Sequence, residues 1–209
     1  MSTIRKLNIA IVISSFFPDI GGAQITAHNL ALNLTDQGHK VVMFCAWSSW
    51  RKLGARNKEL GYRLLPLPPG QQRLMPNLGG AYQFAQNQYF AWLQQKYKFD
   101  LWQSFGAYPA AISVGRFTNK RNIPHVLRTV GYDIQKDPTI KYGYRFNPKI
   151  ESLIQRWSPK VSKAVALSES VKSDLHDVGV SNEQIEIIPC GVDQSHFQSI
   201  KSEINVKGR

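Results

Sequence analysis

The sequence predicts an α/β fold built around a doubly wound, mostly parallel, Rossmann-like sheet. Residues 7–14 form a near-continuous apolar run, which is typical of a strand buried on both faces. A glycine-containing loop follows this run, and a segment with apolar residues at helical spacing follows the loop. Strand-like and helix-like segments then alternate along the remainder of the 209 residues. Such alternation indicates βαβ units and therefore a parallel sheet.

The first of these units has the clearest signals. After the loop at 16–22, a helix is predicted at about 23–37, where Ala27, Ala31 and Leu34 lie on one helical face. Gly38 stands where a glycine commonly ends a helix. Residues 40–46 (KVVMFCA) are predicted to form the second strand. This order of strand, loop, helix and strand fits a βαβ crossover.

Later elements have weaker signals. Further strands are predicted at 62–67, 99–103, 123–130, 163–168 and 186–189. Helices are predicted at 81–97, 107–117, 150–157 and 169–178, and loops at 68–80 and 131–148.

The composition favours a basic protein with anionic partners. Lysine and arginine number 26 against 14 acidic residues, which gives a formal net charge of +12. A basic surface attracts nucleic acid, anionic lipid headgroups or phosphorylated ligands. The basic residues form no long run, which disfavours nucleic acid. Residues 47–52 mix tryptophan with basic residues, and this pattern suits either a membrane interface or a loop that covers the sheet edge.

The cysteine content and the hydropathy of the chain indicate the cellular compartment in which it is expected. Cys45 and Cys190 show no metal-ligand spacing and are expected to be reduced thiols, buried or half-buried. The apolar run at 9–13 is too short to cross a membrane, which takes about 20 residues. We therefore expect a cytoplasmic, soluble chain, with peripheral contact at the inner face of a membrane as an option.

The loop at 18–24 is the first candidate site, because ligands of parallel sheets bind at the carboxyl ends of strands. Gly21 and Gly22 would let the backbone approach a ligand, and the helix that starts at Ala23 and Gln24 would direct its free N–H groups there. This arrangement predicts a phosphate site. A side chain at either glycine would block the approach and make a positive φ costly. The alternative is that the glycines serve only the turn.

Two further loops follow predicted strands. The loop at 128–135 contains Arg128, Gly131, Tyr132 and Asp133, and it is either a ligand loop or an ordinary turn in which Asp133 caps a local group. The other strand end holds Ser168 and Glu169. These residues either contact a ligand or form a helix N-cap with a first-turn acid.

The segment at 187–197 carries the most specific pattern. Its Pro189, Gly191, Asp193 and Phe197 match the signature IPNGVD-x-x-x-F. Four other patterns precede it in the expected order, namely GGAQ at 21–24, the helix-to-strand turn at 31–41, GYD at 131–133 and ALSESV at 166–171. Together they make the chain similar to the N-terminal domain of GT-B, family 4 (group 1) retaining glycosyltransferases.

This resemblance implies one half of a GT-B fold in a hexosyl-type transferase. The donor would be a nucleotide diphosphate sugar, the acceptor a sugar or lipid-linked molecule, and no metal or other cofactor would be needed. Residues 1–197 would form the acceptor-side domain and 198–209 a linker or polar tail, while the C-terminal nucleotide-sugar domain would be absent. The chain is therefore expected to be inactive alone, and no catalytic residue is assigned in it.

The resemblance also implies roles for individual residues. The donor diphosphate would face Gly21, Gly22, Ala23 and Gln24. The acceptor side of the cleft would include Arg128, Gly131, Tyr132, Asp133, Ser168 and Glu169. The interdomain hinge motif would comprise Pro189, Gly191, Asp193 and Phe197.

Two positions depart from the family pattern, and two other function classes are alternatives to it. Val130 replaces a histidine common before the G-x-D glycine, and Cys190 replaces the usual asparagine.

A nicotinamide-dependent oxidoreductase is disfavoured, because G-x-G-x-x-G does not follow the first strand. A non-catalytic basic module that binds anionic lipid or nucleic acid stays open as the alternative.

Overall fold

The computed structural model describes residues 5–71 and 79–191. Its sheet has seven strands in the order β3-β2-β1-β4-β5-β6-β7, and every neighbouring pair is parallel. The strands are β1 (Asn8–Ile13), β2 (Lys40–Ala46), β3 (Arg63–Leu67), β4 (Leu101–Phe105), β5 (His125–Arg128), β6 (Lys163–Ala166) and β7 (Ile185–Ile187). The predicted doubly wound parallel fold is confirmed.

Helices cover both faces of this sheet. In chain order they are α1 (Gly22–Asp36), α2 (Trp47–Leu53), α3 (Gly79–Tyr97), α4 (Ile112–Thr118), α5 (Pro148–Trp157) and α6 (Glu169–Asp177). Within residues 5–71 and 79–191, no helix combines the length and the apolar character needed to span a lipid bilayer.

The apolar residues of β1 and β2 explain why these strands lie inside the sheet. Ile11 and Met43 are fully buried on the face that α1 covers, where they pack near Ala27. On the opposite face, Phe44 stacks on Trp102 with ring centroids 5.8 Å apart. A strand buried on both faces must be apolar throughout, which is the pattern the sequence shows at 7–14 and 40–46.

The strand order reverses between β1 and β4. From β1 the chain first winds outward through β2 and β3, and it then returns to place β4 on the other side of β1. The helices that follow β1 and β4 therefore diverge. This divergence leaves a crevice at the carboxyl edge of the sheet, where ligands of such folds bind.

Several predicted boundaries are wrong. The strand predicted at 99–103 is β4 at Leu101–Phe105, because Lys98 has a left-handed φ of 50° and Asp100 accepts a hydrogen bond from the backbone of Asn8. The strand predicted at 123–130 is only His125–Arg128. In the helix predicted at 107–117, Tyr108 is extended, and regular helix begins at Ile112.

Helix α2 is absent from the predictions. Residues 47–52 were expected to lie in a loop or at a membrane interface, yet Trp47–Leu53 is helical and Trp50 packs against the core beneath it. No side chain caps this helix in the described structure. Tertiary packing of Trp50 and Leu53 stabilises it instead.

Candidate functional site

A cavity of about 350 Å³ opens at the carboxyl edge of the sheet. The start of α1 supplies Gly22 and Ala23, the end of β5 supplies Arg128 and Thr129, and Cys190 closes the far side. We call this space the anion cavity. It lies at the end of β5 beside the strand-order reversal, where the fold predicts a ligand site.

The first turn of α1 presents free backbone donors to the anion cavity. The first hydrogen bond within the helix runs from Ile25 N–H to the Gly21 carbonyl, at 3.1 Å. The N–H groups of Gly22, Ala23 and Gln24 precede it and have no partner within the helix. No described side chain caps the helix at Gly21, and no acidic residue lies in its first turn. These donors and the helix dipole favour an anion.

The backbone does not require glycine at either position of the loop. Gly21 has φ −165° and ψ 171°, an extended conformation that any residue adopts, and Gly22 does not have a positive φ. The expectation that a side chain would force a costly positive φ is therefore wrong. A Cβ on Gly22 would meet no atom within 4 Å, whereas one on Gly21 would lie 2.8 Å from Oε1 of Gln24. Gly22 keeps space open beside the cavity.

Arg128 brings a positive charge to the same cavity. Its side chain is 9% exposed at the end of β5, and its Nη2 lies 3.7 Å from Sγ of Cys190. None of the ion pairs among the described residues includes Arg128. A buried cation without a counter-ion is energetically unfavourable, so a bound anion would stabilise it.

Cys190 is exposed, which corrects the expectation of a buried or half-buried thiol.

Asp133 lies beneath the loop and holds it in place. Its Oδ1 accepts a hydrogen bond from Val130 N–H at 2.9 Å, and its Oδ2 accepts one from Ala107 N–H at 2.6 Å. The side chain is 2% exposed. Burial raises the pKa of this carboxyl group, and the backbone hydrogen bonds act in the opposite direction. Because both oxygens already accept backbone N–H groups, Asp133 positions the loop after β5.

The rest of this loop forms an aromatic surface. Gly131 has φ 111°, a conformation that favours glycine. Tyr132 is 43% exposed, and its ring stands edge-on to Tyr142 and Tyr144, with centroids 4.9 Å and 4.6 Å away. Neither Gly131 nor Tyr132 lines the anion cavity.

The sequence profile of glycosyltransferase family 4 matches residues 20–196. The chain belongs to glycosyltransferase family 4. The match begins at residue 20, within the loop at 18–24, and includes every element from α1 to β7. Comparison with curated protein sequences gives no match.

Solved structures share the fold of this family 4 domain. HepE from Anabaena, solved with UDP, has a TM-score of 0.63 at 16% identity, and the match covers 90% of this chain and 45% of HepE. A glycosyltransferase from Rickettsia africae gives a TM-score of 0.61 at 16% identity, covering 91% and 45%. The UDP-GlcNAc 2-epimerase of Methanocaldococcus jannaschii gives 0.58 at 12% identity, covering 87% and 45%. The chain thus has the fold of one GT-B half and spans about 45% of these relatives' length.

The remaining predicted residues of the family 4 domain lie outside the anion cavity. Ser168 is the N-cap of α6, where its Oγ accepts a hydrogen bond from Val171 N–H at 3.4 Å, and Glu169 lies in the first turn. The cavity wall nearby is Leu167. Pro189 and Gly191 line a larger groove of about 1060 Å³ beside α1, which Arg128 also borders. Asp193 and Phe197 lie outside the described residues.

Sequence reasoning missed two parts of the site. Thr26 and Cys190 line the anion cavity, and their side chains lie 3.9 Å apart although 164 positions separate them. The signature around Cys190 could have indicated this position, because it follows the last strand. Among the described residues, no group of three or more His, Cys, Asp or Glu side chains is arranged to hold a metal ion.

Proposed function

We propose that this chain is the acceptor-side half of a retaining, hexosyl-type glycosyltransferase that uses a nucleotide diphosphate sugar. The observation that carries the proposal is the convergence of two anion-binding features on one cavity. These features are the free N–H groups at the start of α1 and the buried guanidinium of Arg128, which forms no ion pair among the described residues. Both suit a diphosphate, which is the leaving group of such a donor. The family resemblance placed Arg128 on the acceptor side of the cleft, and we propose instead that it contacts the donor.

The chemistry follows from where negative charge develops. As the glycosidic bond to the diphosphate breaks, the leaving oxygens gain charge. Fixed N–H donors and a cation in a site shielded from water stabilise that charge without having to reorganise. The start of α1 and Arg128 would supply this stabilisation. We assign no catalytic acid or base in this chain, because Asp133, the carboxylate of the loop at 128–135, already accepts hydrogen bonds from backbone donors.

The other half of the cleft would complete the enzyme. HepE has been solved with UDP, and this chain spans 45% of its length. We infer that the nucleoside and most of the donor sugar would contact a second domain of the GT-B type. The isolated 209-residue chain would then have no transferase activity and would bind a nucleotide sugar weakly.

Calorimetry on this chain with UDP, pyrophosphate and uridine tests the proposal. If this half contacts the phosphates, UDP and pyrophosphate should bind with similar, weak affinity, and uridine should not bind. The affinity should fall with salt, since screening weakens charge attraction. Tight binding that depends on the uridine moiety would contradict the proposed division of roles.

The acceptor and its location are a separate proposal. The net charge of +12 favours peripheral contact with an anionic membrane, where a lipid-linked acceptor would be presented. Flotation with anionic and neutral liposomes tests this contact. Equal recovery with both kinds of liposome would contradict it.

A further inference from the structure

A cluster of basic and aromatic side chains lies at the edge of the sheet opposite the anion cavity. Helices α4 and α5 carry the chain from the carboxyl ends of β4 and β5 back to the amino ends of β5 and β6, so their last turns lie at the amino edge. Arg116 stands in the last turn of α4, Trp157 ends α5, and Lys160 follows in the single helical turn Ser158–Lys160. We call these three residues the Trp157 site.

Both cations of the Trp157 site contact the same indole ring. The guanidinium carbon of Arg116 lies 5.5 Å from the ring centroid, and Nζ of Lys160 lies 4.6 Å from it. These separations are typical of cation–π contacts. Trp157 packs against the core, and Gly115 lets α4 come close, since a Cβ there would lie 3.5 Å from Cε3 of the indole. The anchored indole therefore holds two positive groups together.

Two nitrogen donors of the Trp157 site lack an acceptor. Nη1 of Arg116 and Nε1 of Trp157 are buried, and neither has a hydrogen-bond partner among the described residues. The ion pairs of the described residues include neither Arg116 nor Lys160. Most buried donors in folded proteins are paired. Two unpaired donors beside two cations indicate that an acceptor with negative charge suits this place.

Stabilisation of a helix C-terminus is the alternative role for Arg116. Arg121 has that role, because its Nη1 donates at 3.3 Å to the carbonyl of Phe117 near the end of α4. No described carbonyl accepts a hydrogen bond from Nη1 of Arg116. The guanidinium of Arg116 lies against Trp157 instead, so helix capping does not account for its position.

We propose that the Trp157 site binds a phosphate group. A phosphate monoester has three terminal oxygens and a charge of about −1.5 to −2, so it can accept hydrogen bonds from a guanidinium, an ammonium and an indole N–H at once. A carboxylate has two oxygens and one charge. Lys160 is exposed and Arg116 is half-buried, so a ligand reaches them from solvent. The phosphate could belong to a free molecule or to a lipid headgroup, because both present the same anion.

This inference goes beyond the proposed transferase function and does not depend on it. The anion cavity lies at the carboxyl edge, where Arg128 ends β5, whereas the Trp157 site lies at the amino edge. A phosphate in the Trp157 site would therefore be a second ligand, bound apart from the donor.

Indole N–H resonances of the 209-residue chain, recorded in two-dimensional NMR, test the proposal. The Trp157 signal is assigned from its loss in Trp157→Phe. Inorganic phosphate and glycerol phosphate, each titrated at constant ionic strength, should shift this signal saturably, and acetate should shift it much less. No shift with either phosphate, or an equal shift with acetate, would overturn the proposal.

Matched variants assign the response to the two cations. Lys160→Gln, at an exposed position, should weaken phosphate binding about three- to tenfold, and Arg116→Gln should weaken it about tenfold or more. Arg121→Gln is the control, because it removes the same charge at the same edge from a side chain that already caps α4. It should keep the affinity within about twofold. Equal losses in Arg121→Gln and Lys160→Gln would reveal general surface attraction and overturn the assignment.

The variant Arg128→Met separates the Trp157 site from the anion cavity. It should leave the response of Trp157 to phosphate unchanged, and loss of that response would overturn the proposal. Co-sedimentation with phosphatidylcholine vesicles, with and without phosphatidic acid, distinguishes the two sources of phosphate. Recovery that requires phosphatidic acid and falls in Lys160→Gln would identify a lipid headgroup. Recovery independent of phosphatidic acid, with the glycerol phosphate response intact, would identify a free phosphorylated ligand.

Discussion

Arg128 donates a hydrogen bond from Nη2 to Sγ of Cys190 at 3.7 Å, and both residues line the anion cavity. Arg128 ends β5, near the middle of the sheet, and Cys190 follows β7 at its edge. A thiol is a weak acceptor for a guanidinium group, so the arginine stays available to a stronger one. A phosphate oxygen is such an acceptor, because charge-assisted hydrogen bonds are about twice as strong as neutral ones.

Replacement of Arg128 should lower the affinity for UDP without lowering the thermal stability of the chain. Arg128→Met should weaken UDP binding by about one to two orders of magnitude, which corresponds to a lost charged hydrogen bond of roughly 1.5–3 kcal/mol. The melting temperature should stay level or rise, because the variant no longer buries an unpaired charge. Calorimetry and thermal melts measure both quantities. Arg156→Met, at an exposed arginine of α5, is the control and should change neither.

The two cysteines provide a direct assay of cavity occupancy. Cys190 is exposed and should react with iodoacetamide in the native protein. Cys45 should not react, because it is fully buried and burial raises its pKa to about 12. UDP should slow the alkylation of Cys190 in proportion to its binding, and Arg128→Met should abolish this protection. Peptide mass spectrometry identifies the modified residue, and unchanged alkylation in saturating UDP would place the anion elsewhere.

The sequence predicts those parts of the fold that depend on short stretches of chain. Strand β2 was predicted at 40–46 and is found at Lys40–Ala46, because Gly38 ends α1 and the apolar run is unbroken. Helix α2 escaped prediction because it has only seven residues and no side-chain cap. It forms where Trp50 reaches the core, and a single sequence does not reveal such a tertiary contact.

The candidate site likewise combines local features that the sequence predicts with tertiary contacts that it does not predict. The glycine loop is a local signal, and it was correctly placed at the start of a helix after β1. The approach of Arg128 to Cys190 depends on the strand order, which brings together residues 62 positions apart. Asp133 was named as a cleft residue from a short motif. Its two oxygens accept hydrogen bonds from the backbone N–H groups of Ala107 and Val130, and these contacts form only in the folded chain.

A buried histidine should make the fold sensitive to acid. His125 is 2% exposed, its Nε2 lies 2.8 Å from Oγ of Ser104, and burial lowers its pKa to about 3. In the unfolded chain the pKa is about 6.5, so unfolding takes up a proton below that pH. Above pH 6.5, the titration of His125 therefore does not change the free energy of unfolding. As the pH falls from about 6.5 towards 3, proton uptake by His125 in the unfolded chain lowers this free energy progressively.

Denaturant titrations at two pH values test this expectation. Between about pH 7.5 and pH 5.5, the wild-type chain should lose about 1.4 kcal/mol more unfolding free energy than His125→Gln, which cannot take up the proton. The comparison between the two proteins cancels the titration of the carboxyl groups. Parallel losses in both proteins would mean that another group causes the acid sensitivity.

The glycine loop gives a prediction in which stability and function change in opposite directions. At Gly22 neither the backbone nor the packing requires glycine, since its φ is not positive and an added Cβ would meet nothing within 4 Å. Gly22→Ala should therefore raise the unfolding free energy by about 0.4–1 kcal/mol, mainly by restricting the unfolded chain. Gly22→Val should leave the fold intact.

The same side chains should obstruct the ligand, because Gly22 lines the anion cavity at the free N–H groups of α1. Gly22→Val should lower turnover of the complete two-domain enzyme by orders of magnitude and weaken UDP binding to this chain, with Gly22→Ala intermediate. Gln24→Ala should have a milder effect, since it removes one side-chain hydrogen bond, to Ser15, worth about 0.5–1.5 kcal/mol. Gly80→Ala is the matched control, because Gly80 also lies in the first turn of a helix with open space around it but does not line the anion cavity. It should gain similar stability and keep full affinity. Normal turnover and UDP binding in Gly22→Val would show that the glycines serve only the turn from β1 to α1.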